Sequence, residues 1–280
     1  MKIAACVVLY NPSSTYVENV LSYLDDVDRC FVIDNSENDF HLDTSLVDNP
    51  KIKYIKFGEN KGIGYALKIA SEEAIKEGFD YLLTMDQDSK LSPDAFDKFQ
   101  KFISANDVRN IAQISLNTTE FKKDDDEKVK TKEVDMCITS GCFVDLKLYK
   151  KIGGFNEQLF IDLVDFDLSH QFIEAGYKIV VLLDAYIIHK IGEPIQLKRK
   201  ILGKTIISSN HSPIRYYYIY RNELFLYKQD KSFFKNVHKN HKKDVWRMLL
   251  CEKQKRLKLK MIRRGKRDAK KGKLGKYSYN

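Results

Sequence analysis

The stretch Tyr81-Leu-Leu-Thr-Met-Asp-Gln-Asp-Ser89 is a mostly apolar run that stops abruptly at two carboxylates. Successive side chains of a strand point to opposite faces, but where the strand ends the chain turns. Asp86 and Asp88 can then converge on one point. In an open α/β sheet that point, outside the carboxyl ends of the strands, is where ligands bind. Two hard oxygen ligands there suit Mg²⁺ or Mn²⁺ shared with substrate phosphates rather than a closed protein cage. The competing reading is an Asp-rich turn leading into a helix capped by Ser89 or Ser92, with Pro93 at its first position.

Outward from this stretch, strands and helices alternate. Ile3–Tyr10 reads as a buried strand, followed by a helix from Ser13 or Ser14 to about Leu24. Cys30–Asp34 is a second strand, ending in Asp34-Asn35-Ser36, and Ile52–Phe57 a third, followed by a loop from Gly58 to Gly64. The next helix runs to Lys76, with Ala66, Ile69, Ala70, Ala74 and Ile75 at roughly 3–4 spacing and Gly78 beyond its end. Phe79–Met85 and Ser92–Ile103 make the next strand and helix. Between Asn117 and Glu133 the chain is polar, with residues 122–128 at its centre, and reads as a solvated loop. Structure resumes over Met136–Val144. A helix is expected over Leu163–Ala175, a strand over Lys178–Leu183, and aromatic-rich helix from Pro213 onward. This rhythm predicts an α/β fold with a mainly parallel, doubly wound sheet and helices on both faces. The expected divisions are a main domain over 1–210, a C-terminal helical extension over 211–252 and a basic tail over 253–280.

Charge supports the last division. Lys253 to Tyr277 holds thirteen Lys or Arg and one acid, Asp268, which is +12; with +9 for the whole chain, the remainder stands at −3. The tail alternates these cations with Leu257, Leu259, Met261 and Ile262, a pattern that can lie on an anionic membrane through residues 253–276. A merely solvated end is the alternative. The rest of the chain carries no basic face or nucleic-acid motif, so no nucleic-acid partner is expected. The five cysteines show no paired spacing, which argues for buried free thiols in a reducing compartment and against a zinc site. The apolar start is too short for a signal peptide and no segment is long enough to span a membrane. The expected location is cytoplasmic, peripheral at the inner face of the cell membrane.

Several short elements occur in a telling order. Val8-Leu-Tyr-Asn11 and Val32-Ile-Asp-Asn-Ser36 end strands, and Asn60-Lys-Gly-Ile-Gly64 opens a helix. Met85-Asp-Gln-Asp88, Ser140-Gly141-Cys142, Gly153-Gly-Phe155, Phe160-Ile-Asp-Leu-Val-Asp-Phe-Asp167 and His189 follow. In this order and spacing the chain resembles the inverting glycosyltransferases of family 2, which have the GT-A fold. Tyr216-Tyr-Tyr-Ile-Tyr-Arg-Asn222 and the Phe-Ile-Asp-x-x-Asp form look most like the bacterial rhamnosyltransferase branch.

The resemblance implies a nucleoside diphosphate sugar, dTDP- or UDP-linked, as donor. Asp34 would accept from the imide N–H of the base, and the main chain at Leu9, Tyr10 and Asn11 would lie near base and ribose. Asn60, Lys61 and Gly62 would form the donor-side loop. Asp88 would ligate the metal, Asp86 would contact ribose or metal, and His189 would lie near the metal or diphosphate. In the family's acidic pattern the catalytic base is the second of a Glu-Asp pair. Here that pair reads Val164-Asp165, so Asp165 takes the role and Asp162 stands as a second, acceptor-side acid. Arg221 could approach the diphosphate, and Tyr217 could border the acceptor, a saccharide or a polyprenyl-linked sugar. The donor sugar read from the resemblance is L-rhamnose, with UDP-galactose, UDP-glucose and UDP-N-acetylglucosamine open.

Each residue also has a plainer reading: Asx turns at Asp34, a structural turn at Gly62, helix capping at Asp165, packing at Tyr217. A dehydrogenase is disfavoured because no GxGxxG follows the first strand. A sugar-phosphate nucleotidyltransferase would want a Gly-rich basic loop where Tyr10-Asn-Pro-Ser-Ser14 stands. The rival of another class is a non-catalytic scaffold held at the membrane. A homodimer through the C-terminal helices is the further partner the sequence allows.

Overall fold

The computed structural model of the chain describes residues 1–38, 40–118, 129–189, 197–201 and 204–278. The expected loop centre, 122–128, lies outside them. Contacts divide the chain into two units, Met1–Glu157 with Val164–Lys190, and Gln158–Leu163 with Ile191–Asn280. The expected boundary near 210 therefore moves to about 190, and a six-residue segment before residue 164 joins the second unit.

The first unit runs β1 (Ile3–Leu9), α1 (Tyr16–Leu24), β2 (Arg29–Asp34), α2 (Thr44–Val47), β3 (Ile52–Lys56), α3 (Ile63–Lys76), β4 (Tyr81–Asp86), β5 (Ser89–Leu91) and α4 (Ala95–Ala105). It continues with β6 (Ile111–Asn117), β7 (Thr131–Val134), β8 (Cys142–Asp145), α5 (Leu146–Tyr149), α6 (Val164–Glu174) and β9 (Lys178–His189). The strand order is β3-β2-β1-β4-β8-β6-β9-β5, with β7 also on β9. From β3 to β4 every pairing is parallel, as the alternation predicts. β8 then inserts antiparallel between β4 and β6, so the sheet is mixed beyond its parallel half.

β1 is buried at every position, as a strand covered on both faces must be. Ile3, Ala5, Val7 and Leu9 face one core with Tyr16, Val20 and Tyr23 of α1 and Phe96 and Phe99 of α4. Phe99 stacks on Phe143 of β8 at 3.7 Å between ring centroids. The alternate residues Ala4, Cys6 and Val8 belong to the opposite face, on which α3 packs. α3 begins tightly: a Cβ on Gly64 would meet the Asn156 carbonyl oxygen at 2.6 Å.

The second unit holds a hairpin, β10 (Leu197–Ile201) and β11 (Lys204–Ser208), and three helices, α7 (Pro213–Gln229), α8 (Lys235–Cys251) and α9 (Lys255–Lys270). Ser212 caps α7, and Pro213 follows as its first residue. The expected tail is a folded helix. Lys258, Met261, Ile262, Gly265 and Ala269 of α9 are buried at 3–4 spacing, and α9 packs along α7. Lys258 is buried because it pairs with buried Glu252 at 2.6 Å. Glu252 also accepts from Tyr216 Oη, Ser208 Oγ and the Asn210 N–H. Among the described residues no helix is long and apolar enough to cross a membrane.

Candidate functional site

At the carboxyl edge of the parallel strands four loops are tied together by side chain–backbone hydrogen bonds. Asn35, just past β2, donates its backbone N–H to the Leu9 carbonyl at 2.8 Å. The Ser36 hydroxyl accepts from the Asn11 N–H at 3.0 Å. This holds Asn11 in a left-handed conformation (φ 44°), which Asn tolerates better than most residues. The Asn35 side chain reaches the loop before α3: its Nδ2 donates to Asn60 Oδ1 at 3.2 Å and its Oδ1 accepts the Lys61 N–H at 2.8 Å. Asn60 Oδ1 also accepts from the Gly62 N–H at 2.9 Å, and Gly62 has the positive φ of 88° that favours glycine. Lys61 Nζ lies 5.5 Å from the Phe57 ring centroid and 5.2 Å from that of Tyr65.

The fourth loop is the one between the two carboxylates. Asp86 is the last residue of β4 and Asp88 lies two residues beyond it; both are half-buried. Gln87 between them bonds both main-chain groups of Tyr10, accepting from its N–H at 2.8 Å and donating to its carbonyl at 3.3 Å. Buried Asn19 of α1 donates to the Gln87 carbonyl at 2.7 Å. Ser140 Oγ accepts from the Asp86 N–H and donates toward Ser89 Oγ at 2.9 Å. Ser89 in turn stands opposite His189 in the β5–β9 pairing. His189 is thus beside the turn by its main chain; its side chain lies outside the described part.

Asp165 and Asp167 fall in the first turn of α6. Asp165 is half-buried, and its Oδ1 accepts from the Phe166 N–H at 2.9 Å. Its charge reaches the Cys142 thiol, which is pushed well up by its bond to the Cys137 thiol, by burial and by that nearby carboxylate. Cys142 opposes Thr84, two residues before Asp86. Asp167 differs: it is buried, accepts from Gln171 Nε2 at 3.0 Å, and burial raises its carboxyl.

Four sequence expectations change. Asp34 is fully buried, with one carboxylate oxygen accepting the Ser36 N–H and the other Tyr54 Oη at 2.7 Å. It anchors the turn rather than facing a base. Arg221 is also fully buried. Its guanidinium donates to the carbonyls of Leu159 and Gly275 and to Asn222 Oδ1, which leaves it inside the second unit and not at a diphosphate. Tyr217 is buried, donates to Asp268 and packs on Tyr277, so packing explains it. Asp162 belongs to the second unit and pairs with Arg215 at 3.0 Å. Leu9 contributes main chain alone, its side chain being core; Tyr10 and Asn11 are exposed.

The second unit adds a feature that motif reading misses. Phe160, Asp162 and Leu163 all have φ between 64° and 67°, a costly run for residues with side chains. Asn222 of α7 holds it, its Nδ2 donating to the carbonyls of Leu159, Ile161 and Asp162 within 2.9 Å. The chain then enters α6 and Asp165. Gln87, Asn35, Ser140 and Asn222 escaped the sequence reading because their partners are distant in sequence. The one available signal was the placement of Asn, Gln and Ser inside otherwise recognisable motifs. A groove of about 1100 Å³ beside α4, lined by Gln100, Phe102, Val129 and Thr131 among others, includes none of these residues.

Comparison with known proteins agrees with this architecture. The chain is 25% identical over 243 residues to the dTDP-rhamnosyl transferase RfbF of Shigella flexneri, covering 81% of this chain and 80% of that protein. Among solved structures, GalNAc-T7 with UDP, GalNAc and Mn²⁺ superimposes with a TM-score of 0.54 at 14% identity, covering 68% of this chain and 44% of that one. S. aureus TarS 1–349 in complex with UDP-GlcNAc gives 0.52 at 15% identity, covering 94% and 70%. At these identities the structures speak for the GT-A fold alone. The sequence model of Glycosyl transferase family 2 matches residues 5–153, more than half of the chain, and the protein belongs to that family of glycosyltransferases.

Proposed function

We propose that the protein transfers a sugar from a nucleoside diphosphate donor, L-rhamnose from dTDP-L-rhamnose, with inversion, to a saccharide or polyprenyl-linked acceptor in cell-surface glycan synthesis. The observation that carries this reading is the acidic turn Asp86-Gln87-Asp88, locked at the carboxyl edge of the sheet to Tyr10 just past β1, where the β1 end is in turn tied through Asn35 to the β2 end and the α3 loop. The name of the Shigella relative supports the dTDP-rhamnose donor over a UDP-sugar.

The residues at the turn fit a divalent cation. Two half-buried carboxylates one residue apart, at the end of a strand of the parallel half of the sheet, offer hard oxygens to Mn²⁺ or Mg²⁺ while leaving room for phosphate oxygens. Held by Asp86 and Asp88, such an ion would supply positive charge against that developing on the departing nucleoside diphosphate. Asn35 and Asn60 orient the main chain of Lys61 and Gly62 toward a donor-side loop, and the Lys61 ammonium adds positive charge there.

Asp165 is the base. It accepts the proton of the acceptor hydroxyl as that oxygen bonds to the anomeric carbon, and the bond from that carbon to the diphosphate oxygen breaks. The burial of Asp167 and the Arg215 bond to one oxygen of Asp162 favour Asp165 over either. Release of dTDP from dTDP-L-rhamnose, compared between the wild type and Asp165→Asn, tests the assignment. Turnover should fall by about a hundredfold or more while dTDP affinity stays within about twofold. Unchanged turnover would remove Asp165 from the mechanism. Nucleotide binding without turnover in the wild type would favour the scaffold reading.

A further inference from the structure

Trp246, the single tryptophan of the chain, is 69% exposed on α8. Core packing gives no reason for this. The apolar residues that α8 turns inward are Val245, Met248 and Leu249, which pack with Tyr216, Ile219 and Tyr220 of α7. Lys239, Lys242 and Lys243 stand seven, four and three residues before Trp246 and are all exposed. That spacing puts the three lysines and the indole on one helical stripe. Asp244, the acid of this helix, is half-buried and paired with Arg247 at 2.8 Å.

The charge pattern extends well beyond the stripe. From Lys231 to Lys276 sixteen Lys and Arg are exposed, six up to Arg247 and ten from Lys253, and no Asp or Glu is. Fixed charge of one sign at this density destabilises the folded state by self-repulsion, so it calls for a partner of opposite sign. The sequence alone points to residues 253–276 with their Leu and Met as the membrane-facing part. The fold redirects it: Met261 and Ile262 are 8% and 4% exposed and serve the packing on α7, leaving Leu257 as the large exposed apolar residue of α9. The exposed indole is on α8 instead.

We propose that the outer face of α8, Trp246 with Lys239, Lys242 and Lys243, docks the protein on an anionic lipid bilayer, the exposed cations of α9 adding to the attraction. An indole settles at the headgroup level because its ring is apolar and its N–H needs a polar partner. Lysines around it are drawn to anionic headgroups and keep their ammonium groups in water. Single-stranded nucleic acid would carry the same charge, but its readers stack successive bases on several aromatics along a groove. Between 231 and 278 Trp246 is the one exposed aromatic. Because the apolar side of α8 is already used in the core, the docking is shallow and governed by charge.

The lone tryptophan is its own reporter. The emission of the full chain is titrated with phosphatidylcholine vesicles containing phosphatidylserine, with pure phosphatidylcholine vesicles and with polyuridylic acid. The proposal expects a blue shift on the anionic vesicles, quenching by bromine-labelled acyl chains, reversal by salt, and no response to pure phosphatidylcholine. Lys239→Gln, Lys242→Gln and Lys243→Gln together should weaken vesicle binding on the order of a hundredfold. Circular dichroism should be unchanged, since all three side chains are exposed. In sedimentation Trp246→Ala should pellet less with the same vesicles, while dTDP release is untouched. No vesicle binding would overturn the proposal. So would vesicle binding with unchanged emission, or an emission shift with the polynucleotide alone.

Discussion

Gln87 shows how the acidic turn is built. Its amide satisfies both main-chain groups of Tyr10, 77 residues earlier, so the carboxylates on either side are fixed relative to the end of β1. Gln87→Ala removes both bonds and should cost about 1–2 kcal/mol of stability, with weaker nucleotide binding, read by thermal denaturation and calorimetry. Gln87→Glu should cost at least as much stability when no metal is present. It would add a third negative charge between Asp86 and Asp88 and set an oxygen against the Tyr10 carbonyl. The two carboxylates were legible because their residue type and position at a strand end carry the chemistry. Gln87 was not, because its role lies in a contact between distant parts of the chain. Asp34 and Arg221 mark the converse limit. Residue type makes each a fair ligand, yet each is consumed by the protein's own backbone and hydroxyl groups.

At the level of elements, the parallel half of the sheet was readable from runs that end at Asn11, Asp34 and Asp86 and, for β3, at Gly58, with boundaries within two or three residues. β6 was missed because Gln113 and Ser115 interrupt its apolar pattern, although both are buried there and Ser169 donates to Gln113. β9 runs past the expected end at Leu183, through Asp184, whose carbonyl accepts from Lys98 Nζ, to His189. The density of cations over 253–276 reads as a tail, but Lys258 sits in the buried stripe of α9, where Glu252 pairs with it and Asn210 accepts from it. The left-handed run before α6 makes a prediction of its own. Asn222→Ala leaves three carbonyls of residues 159, 161 and 162 without their shared donor. It should destabilise the protein by about 3 kcal/mol, as the denaturant midpoint will show. Asn222→Asp should be no better, since a carboxylate cannot donate.

Across the whole molecule, charge is divided by structure as well as by sequence. The excess of +12 over residues 253–277 belongs to a packed helix and its C-terminal continuation, not to a free end. Inside the second unit the Glu252–Lys258 pair ties stability to pH. Burial alone would raise the Glu252 carboxyl, but hydrogen bonds from Lys258, Ser208 and Tyr216 win and hold it below the ordinary glutamate value. A depressed carboxyl stabilises the fold above its unfolded pKa, and that contribution is lost as pH falls through the folded value. Unfolding free energy should therefore decline below about pH 4.3. Glu252→Gln should flatten that decline and cost about 3 kcal/mol at neutral pH by stranding Lys258. The central claim concerns the first unit, that Asp86 and Asp88 build a cation-dependent site for a nucleoside diphosphate sugar. Titration calorimetry of dTDP-L-rhamnose and UDP-sugars, with Mn²⁺ or with EDTA, tests it most directly. Binding that needs the cation, favours the dTDP compound and falls at least about tenfold in Asp88→Asn is the predicted result. Equal binding in EDTA, or an undiminished affinity in Asp88→Asn, would contradict it.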